Sequence, residues 1–374
     1  MKSAKFVVAG IWLVLTAAPL AICVAAESGP GEQPQPNWDT VWNKEAVVAN
    51  IRSLIAAVDV PRMSQHVFYL SKDPLPFRKL NYTVPGHEKC TLHEADDYLA
   101  AKLQSRGYQV QREAVQVQAY RRDTNKPLHH QYSRPMPEDP WYTAYNLYAE
   151  KKGGSRAGEI IVVLAHKDSQ SWIDSPGAND NAIGTVGVLE LACVLAEYPS
   201  ERTIRFLFCN EEHTPWTSVT AAQNAKARGD NIVAVFNLDG IGAKTAEETA
   251  AGKKTNVTAY TVPAGERLAE LMSAVNDRFA IGLQQRVVKR RGPGDDDGSF
   301  VRAGFGAEAG DDVDDPGRQQ SGADLGDDQH RQRRVFGGLQ HDRVAGGDRR
   351  RDLHRRQRHR RIPRHDRADH AERL

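Results

Sequence analysis

Three short runs constrain this chain most: GEIIVVLA (Gly158–Ala165), RTIRFLFC (Arg202–Cys209) and IVAVFNLD (Ile232–Asp239). Each is apolar at consecutive rather than alternate positions, the pattern of a strand covered on both faces. Runs with helical spacing separate and follow them: AIGTVGVLELACVLAEY (Ala182–Tyr198), SVTAAQNAKARG (Ser218–Gly229) and ERLAELMSAVNDRF (Glu266–Phe279). Strands alternating with helices predict an α/β fold, with a mainly parallel central sheet covered by helices on both faces. Gly184 and Gly187 let the first of these helices approach the sheet closely. In such sheets ligands collect beyond the carboxyl ends of the strands.

The region before these runs adds a helix over NKEAVVANIRSLIAAV. A second helix starts at TLHE (Thr91–Glu94), a capping-box pattern, runs to about Gln104 and stops at Gly107. YQVQREAVQVQAY and YTAYNLYAEK alternate and read as strands. Of the four cysteines, Cys23 falls in the leader described below. Cys193 and Cys209 lie in apolar runs and read as buried thiols, so no disulfide framework is indicated.

The two ends differ from this body. Residues 1–26 read as a secretory signal: Lys2 and Lys5, an apolar stretch from Phe6 to Ile22, then VAA as a cleavage site. Residues 27–45 form a flexible lead-in, and 46–306 the folded domain. No other segment is apolar enough for long enough to span a bilayer, so the expected location is secreted or periplasmic, without stable membrane association. Residues 307–374 hold 16 Arg, 14 Asp plus Glu and 6 His, with no Lys, Thr, Tyr, Trp, Met or Asn. That leaves 34 basic and 34 acidic residues in 1–306. A neutral body offers no electrostatic case for nucleic acid, and the Arg-rich tail has too few apolar residues for a core and reads as disordered.

Each of the three apolar strands stops at polar residues. The first ends at His166 and Asp168, the second at Asn210-Glu211-Glu212, and the third at Asn237-Leu238-Asp239. The loop after the first adds Asp180. His166 and Asp168, two apart, share a face, so Asp168 can orient the ring of a metal-binding imidazole. Asp180 has two oxygens with which to bridge two cations. Of the adjacent pair Glu211 and Glu212, one can coordinate while the other faces a bound water, and Asp239 supplies a further oxygen. Mixed nitrogen and carboxylate donors suit zinc. Taken singly, a His-x-Asp pair is an ordinary hydrogen bond, a Glu-Glu pair a solvated turn, and an Asp after a strand a helix cap. It is their occurrence together, at consecutive strand ends, that points to a metal centre.

AHKDS, PGANDNAIGTVGVLELA, IRFLFCNEEH, NLDGIG and DGSFVRAGF together resemble the zinc aminopeptidase family that includes vibrio leucyl aminopeptidase, aminopeptidase S and, more distantly, glutamate carboxypeptidase. The likeness covers roughly Ala46 to Phe305. It implies a zinc exopeptidase-like fold, two Zn ions and peptide substrates. It further implies His166, Asp180, Glu212 and Asp239 as metal ligands, Asp180 bridging, Glu211 as general base and Asp168 behind His166. It also implies a cis peptide between Asp180 and Asn181. Trp172 and Trp216 either line a side-chain pocket or pack ordinarily. GPGDDDGSF is either a substrate-proximal loop, as in the family, or a solvated acidic turn.

One element of the family pattern is missing. The resemblance requires a final histidine ligand before the last helix, and no matching motif follows Phe305. Read one base later, HDRVAGGDRRRDLH can encode an apolar helical run, so residues 307–374 are expected to be translated out of frame. The expected function is a secreted dizinc aminopeptidase whose activity in this chain is weakened by the missing ligand. A carboxypeptidase or glutaminyl-cyclising enzyme of the same fold, and a non-catalytic relative, are the alternatives.

Overall fold

A computed structural model of the chain describes residues 42–123, 125–127, 131–169, 175–211, 213–242 and 246–306. The expected signal sequence, nearly all of the lead-in, the Arg-rich tail, Trp172 and Glu212 lie outside these residues.

In chain order the elements are α1 (Glu45–Ala57), α2 (Val60–Ser71), α3 (Thr91–Gln104), β1 (Val110–Ala119), β2 (Arg121–Arg122), β3 (Tyr132–Ser133), β4 (Trp141–Lys151), β5 (Arg156–His166), α4 (Ile183–Leu195), β6 (Arg202–Cys209), β7 (His213–Thr214), α5 (Thr217–Arg228), β8 (Asn231–Asn237), α6 (Ala246–Ala250), β9 (Thr255–Tyr260), α7 (Pro263–Arg278), β10 (Gln284–Lys289) and α8 (Asp295–Arg302). The main sheet has the order β7-β1-β4-β6-β5-β8. Its parallel part is the three apolar strands, β5 lying between β6 and β8. The two alternating strands join it antiparallel, β4 to β6 and β1 to β4. Much of β1 is exposed on alternate residues, whereas residues 146–149 of β4 are buried on both faces beside β6. β9 and β10 pair separately as a parallel two-stranded ribbon.

The central strands are covered on both faces. Ile161, Val163, Phe206 and Phe208 pack with Ile51 of α1, Leu70 of α2, Leu99 of α3, Leu189 of α4 and Met272 of α7. Their neighbours in sequence, Val162, Leu164 and Leu207, pack on the opposite face against Ala221, Ala222 and Ala225 of α5 and Phe300 of α8. Each fully buried Leu or Phe side chain contributes roughly 1.5–3 kcal/mol.

The capping box expected at Thr91 does not form. Cys90 precedes the helix without a side-chain cap, and Thr91 is the first helical residue. Its hydroxyl accepts from the Lys79 amide (3.0 Å), and Glu94 reaches His87 Nδ1 (2.8 Å) instead of turning back. The preceding segment captures both side chains that a capping box would use. Cys209 is buried as expected, whereas Cys193 is half-buried, and neither is in a disulfide. Among the described residues no helix is long and apolar enough to cross a membrane.

Candidate metal centre

Because β5, β6 and β8 are parallel, their carboxyl ends open on one edge. His166 pairs with Cys209 and Leu164 with Asn237, so His166, Glu211 and Asp239 leave the sheet at nearly the same level. One ligand atom from each of these three residues falls within 4.8 Å of the others. From His166 Nε2 the distances are 3.5 Å to Asp239 Oδ1 and 4.0 Å to Glu211 Oε2.

Asp180 comes from the loop between β5 and α4, and its Oδ1 is 3.1 Å from His166 Nε2. Two glycines make that approach possible. Gly177 has φ +59°, and a Cβ there would sit 2.4 Å from Ser169 Cβ and 2.6 Å from Asp180 O. A Cβ on Gly184 would lie 2.0 Å from Leu238 O, so only glycine lets α4 begin against the end of β8. Asn181 fastens the same junction: its amide donates to Leu238 O (2.8 Å) and accepts from the Gly184 amide (2.9 Å). The Asp180–Asn181 peptide is cis. Arg78, fully buried, donates to Lys167 O (2.6 Å), Pro176 O (2.9 Å) and Gly177 O (2.7 Å), which ties both ends of this loop together.

Asp168 stands behind His166. Its Oδ1 accepts from His166 Nδ1 (3.2 Å) and from the Glu211 amide (3.2 Å), and Oδ2 is 2.9 Å from His213 Nδ1. His213 stands in the motif IRFLFCNEEH, yet nothing in the sequence marks a role for it. β7 pairs with β1 and turns its ring onto Asp168. Lys167, between His166 and Asp168, points to the other face. There it pairs with buried Asp96 (3.0 Å) and donates to Asn210 Oδ1 (2.6 Å), fixing the residue before Glu211. Trp216 precedes α5 and is half-buried.

The run Asp295-Asp296-Asp297 is not a solvated turn. It begins α8, and Asp296 is fully buried. One oxygen each from Glu211, Asp295 and Asp296 forms a second group within 4.8 Å.

Electrostatics at this edge are those of carboxylates short of cations. Burial and the charges of Asp295 and Asp296 raise Glu211 well above the usual carboxylate range. Burial and Asp295 push Asp239 up to about 6. Burial and Asp295 push Asp296 up to about 7, against the pull of His166 and of Ser218 and Cys209 beside it. Burial opposes charge on His166, but Asp168, Asp180 and Asp239 prevail and raise it well above normal. Burial works against Asp168 too, yet the two imidazoles hold it far below normal.

A metal ion fits these residues. His166 Nε2 is buried among the carboxylates of Asp180, Asp239 and Glu211, and buried Glu211 Oε2 lacks a hydrogen-bond partner. A cation bound there would satisfy both and offset the crowded negative charge. One imidazole with several carboxylates is a donor set that suits zinc.

Comparison with known sequences agrees with this geometry. The sequence model of peptidase family M28 matches residues 146–330, which carry every strand end described above. The match to that family takes in just under half of the chain. The chain is 44% identical over 66 residues to aminopeptidase YwaD of Bacillus subtilis, covering 17% of this chain and 14% of that protein. It is 28% identical over 166 residues to a "Probable zinc metalloprotease" of Pyrenophora teres f. teres, covering 42% and 32%. The chain thus spans about a third or less of these curated relatives. Among solved structures, the LapA aminopeptidase of Legionella pneumophila shares the fold, with a TM-score of 0.52 and 17% identity over 75% of this chain and 67% of that one. An aminopeptidase from Aneurinibacillus sp. strain AM-1 has a TM-score of 0.50 and 17% identity, over 68% and 85%. The matched segment therefore sits in a zinc exopeptidase-like fold, its polar strand ends on one sheet edge.

Proposed function

We propose that this chain is a secreted zinc-dependent exopeptidase that removes residues from the amino ends of peptides. The observation that carries the reading is the convergence of His166 Nε2 with carboxylates of Asp180, Glu211 and Asp239 beyond three parallel strands. His166, Asp180, Asp239 and Glu212 would hold two zinc ions, with Asp180 between them. Bound zinc supplies a Lewis acid that polarises a peptide carbonyl and makes water a nucleophile at neutral pH.

Glu211 is assigned the proton transfers. Its raised pKa suits a carboxylate that takes a proton from the attacking water and returns it to the departing amine nitrogen. Asp168 orients His166 and, through the Glu211 amide, also fixes the start of the segment that bears the base. The second ion has no histidine in this assignment and should be held weakly. The segment after Gly306 is read as out of frame, and the nucleotide sequence across residues 306–311 tests that directly.

The test of function is hydrolysis of leucine p-nitroanilide and its N-acetylated counterpart by purified, zinc-supplemented protein. The reading predicts cleavage of the free-amine substrate alone, with Glu211→Gln slower by roughly 10²–10⁴-fold. Equal cleavage of both substrates, release from carboxyl ends, or an unaffected Glu211→Gln would contradict it.

A further inference from the structure

Glu211 faces two groups of potential ligands. Toward β5 and β8 it meets His166 and Asp239; toward α8 it meets Asp295 and Asp296. The second group contains oxygen donors only. Asp296 is fully buried with Ser218 and Cys209 beside it, yet its carboxylate oxygens make no hydrogen bond of ordinary geometry; Glu211 Oε2 is likewise without one. Asp295 is held in place rather than left to solvent. Its Oδ1 accepts from Asn237 Nδ2 (2.8 Å) and from the Asp296 amide (2.9 Å), and its backbone sits at φ +67°, a conformation uncommon for aspartate.

Asp297 provides the contrast. It pairs with Arg290, so the third acid of the run is neutralised by this chain itself. No described lysine or arginine pairs with Asp296, which feels only the charge of His166 across the site. A shared proton would link two of the carboxyls of Glu211, Asp295 and Asp296, whereas a divalent cation would bind all three at once and offset their charge.

We propose that Glu211, Asp295 and Asp296 form a site for a hard divalent cation such as Mn²⁺, Mg²⁺ or Ca²⁺, beside the zinc centre and distinct from it. An all-oxygen donor set favours such ions, whereas the imidazole of His166 favours zinc. Asp295, only partly buried, gives the ion a way in from solvent. Filling this site engages the carboxylate assigned above as the general base, so the cation inhibits hydrolysis. The inhibition rests on the proposed function; the binding does not.

The test is titration of zinc-loaded protein with MnCl₂, with free Mn²⁺ followed by electron paramagnetic resonance. Wild type should take up one Mn²⁺ per chain without releasing zinc. Asp295→Asn and Asp295→Asn/Asp296→Asn should bind it at least tenfold more weakly while keeping their zinc, with thermal melts reporting that each is folded. Because Asp295 is only partly buried, its single variant serves if the double variant fails to fold. His166→Ala should lose zinc and keep Mn²⁺. No uptake at millimolar Mn²⁺, or equal uptake by wild type and Asp295→Asn, would overturn the site. Uptake with undiminished hydrolysis would uphold the site and overturn the base assignment of Glu211.

Discussion

Asp168 lies between two imidazoles, its Oδ1 3.2 Å from His166 Nδ1 and its Oδ2 2.9 Å from His213 Nδ1. One carboxylate thereby sets the ring orientation of the only histidine among the described residues that reaches the metal centre. It is itself held by a strand at the far edge of the sheet. An asparagine has one acceptor and one donor on the same fork, so it cannot accept from both rings.

Asp168→Asn should therefore weaken zinc binding by roughly 10–100-fold, as loss of such an orienting group does elsewhere. His213→Ala, which leaves the His166 contact intact, should cost less. Competition with a chromophoric chelator measures both. Equal affinities in wild type and Asp168→Asn would show that the contact does not support the centre.

Gly184 is the second point of strict fit. A methyl group there would lie 2.0 Å from Leu238 O and 2.2 Å from Asn181 Oδ1. Gly184→Ala should destabilise the protein by about 2–3 kcal/mol, the cost of overpacking against backbone. Gly158→Ala meets nothing within 4 Å and should change stability by less than about 0.5 kcal/mol. Urea unfolding of the pair checks this. Equal midpoints would mean that α4 can move away from β8.

Away from the centre, His66 gives a pH prediction. Burial, then the charges of Lys102 and Arg62, lower it to about 4. The folded protein thus binds this proton more weakly than the unfolded chain does. Its contribution is fully present above about pH 6.5 and is lost as pH falls toward 4, by up to about 3 kcal/mol. Stability of wild type and His66→Gln, measured from pH 7 to 4, should diverge in that window, the variant falling less. Parallel curves would contradict the assignment.

Much of the architecture was legible because burial leaves a local imprint. The consecutive apolar residues Phe206–Cys209 marked a buried strand, and β6 spans Arg202–Cys209, its two arginines paired with Glu159 and Glu150. The alternation of β1 and β4 marked strands, but their antiparallel direction depends on partners far along the chain. Thr91 and Glu94 looked like a cap because the competing groups, Lys79 and His87, come from a segment without periodicity. His166, Glu211 and Asp239 stood out at strand ends, and Asp180 in the loop that follows the first of them. His213, Arg78 and Lys167 were not. Their partners Asp168, Gly177 and Asp96 meet them only through tertiary packing, and a buried charge reads in sequence like an exposed one. Asp296 was hidden for the same reason, since three consecutive acids suggest solvent until helix packing buries one.

The most direct test of the account is anomalous diffraction at the zinc edge from crystals grown with zinc. It predicts a peak about 2.0–2.2 Å from His166 Nε2 and from carboxylate oxygens of Asp180 and Asp239, lost in His166→Ala. A map without density there, or a peak unchanged in His166→Ala, would contradict it.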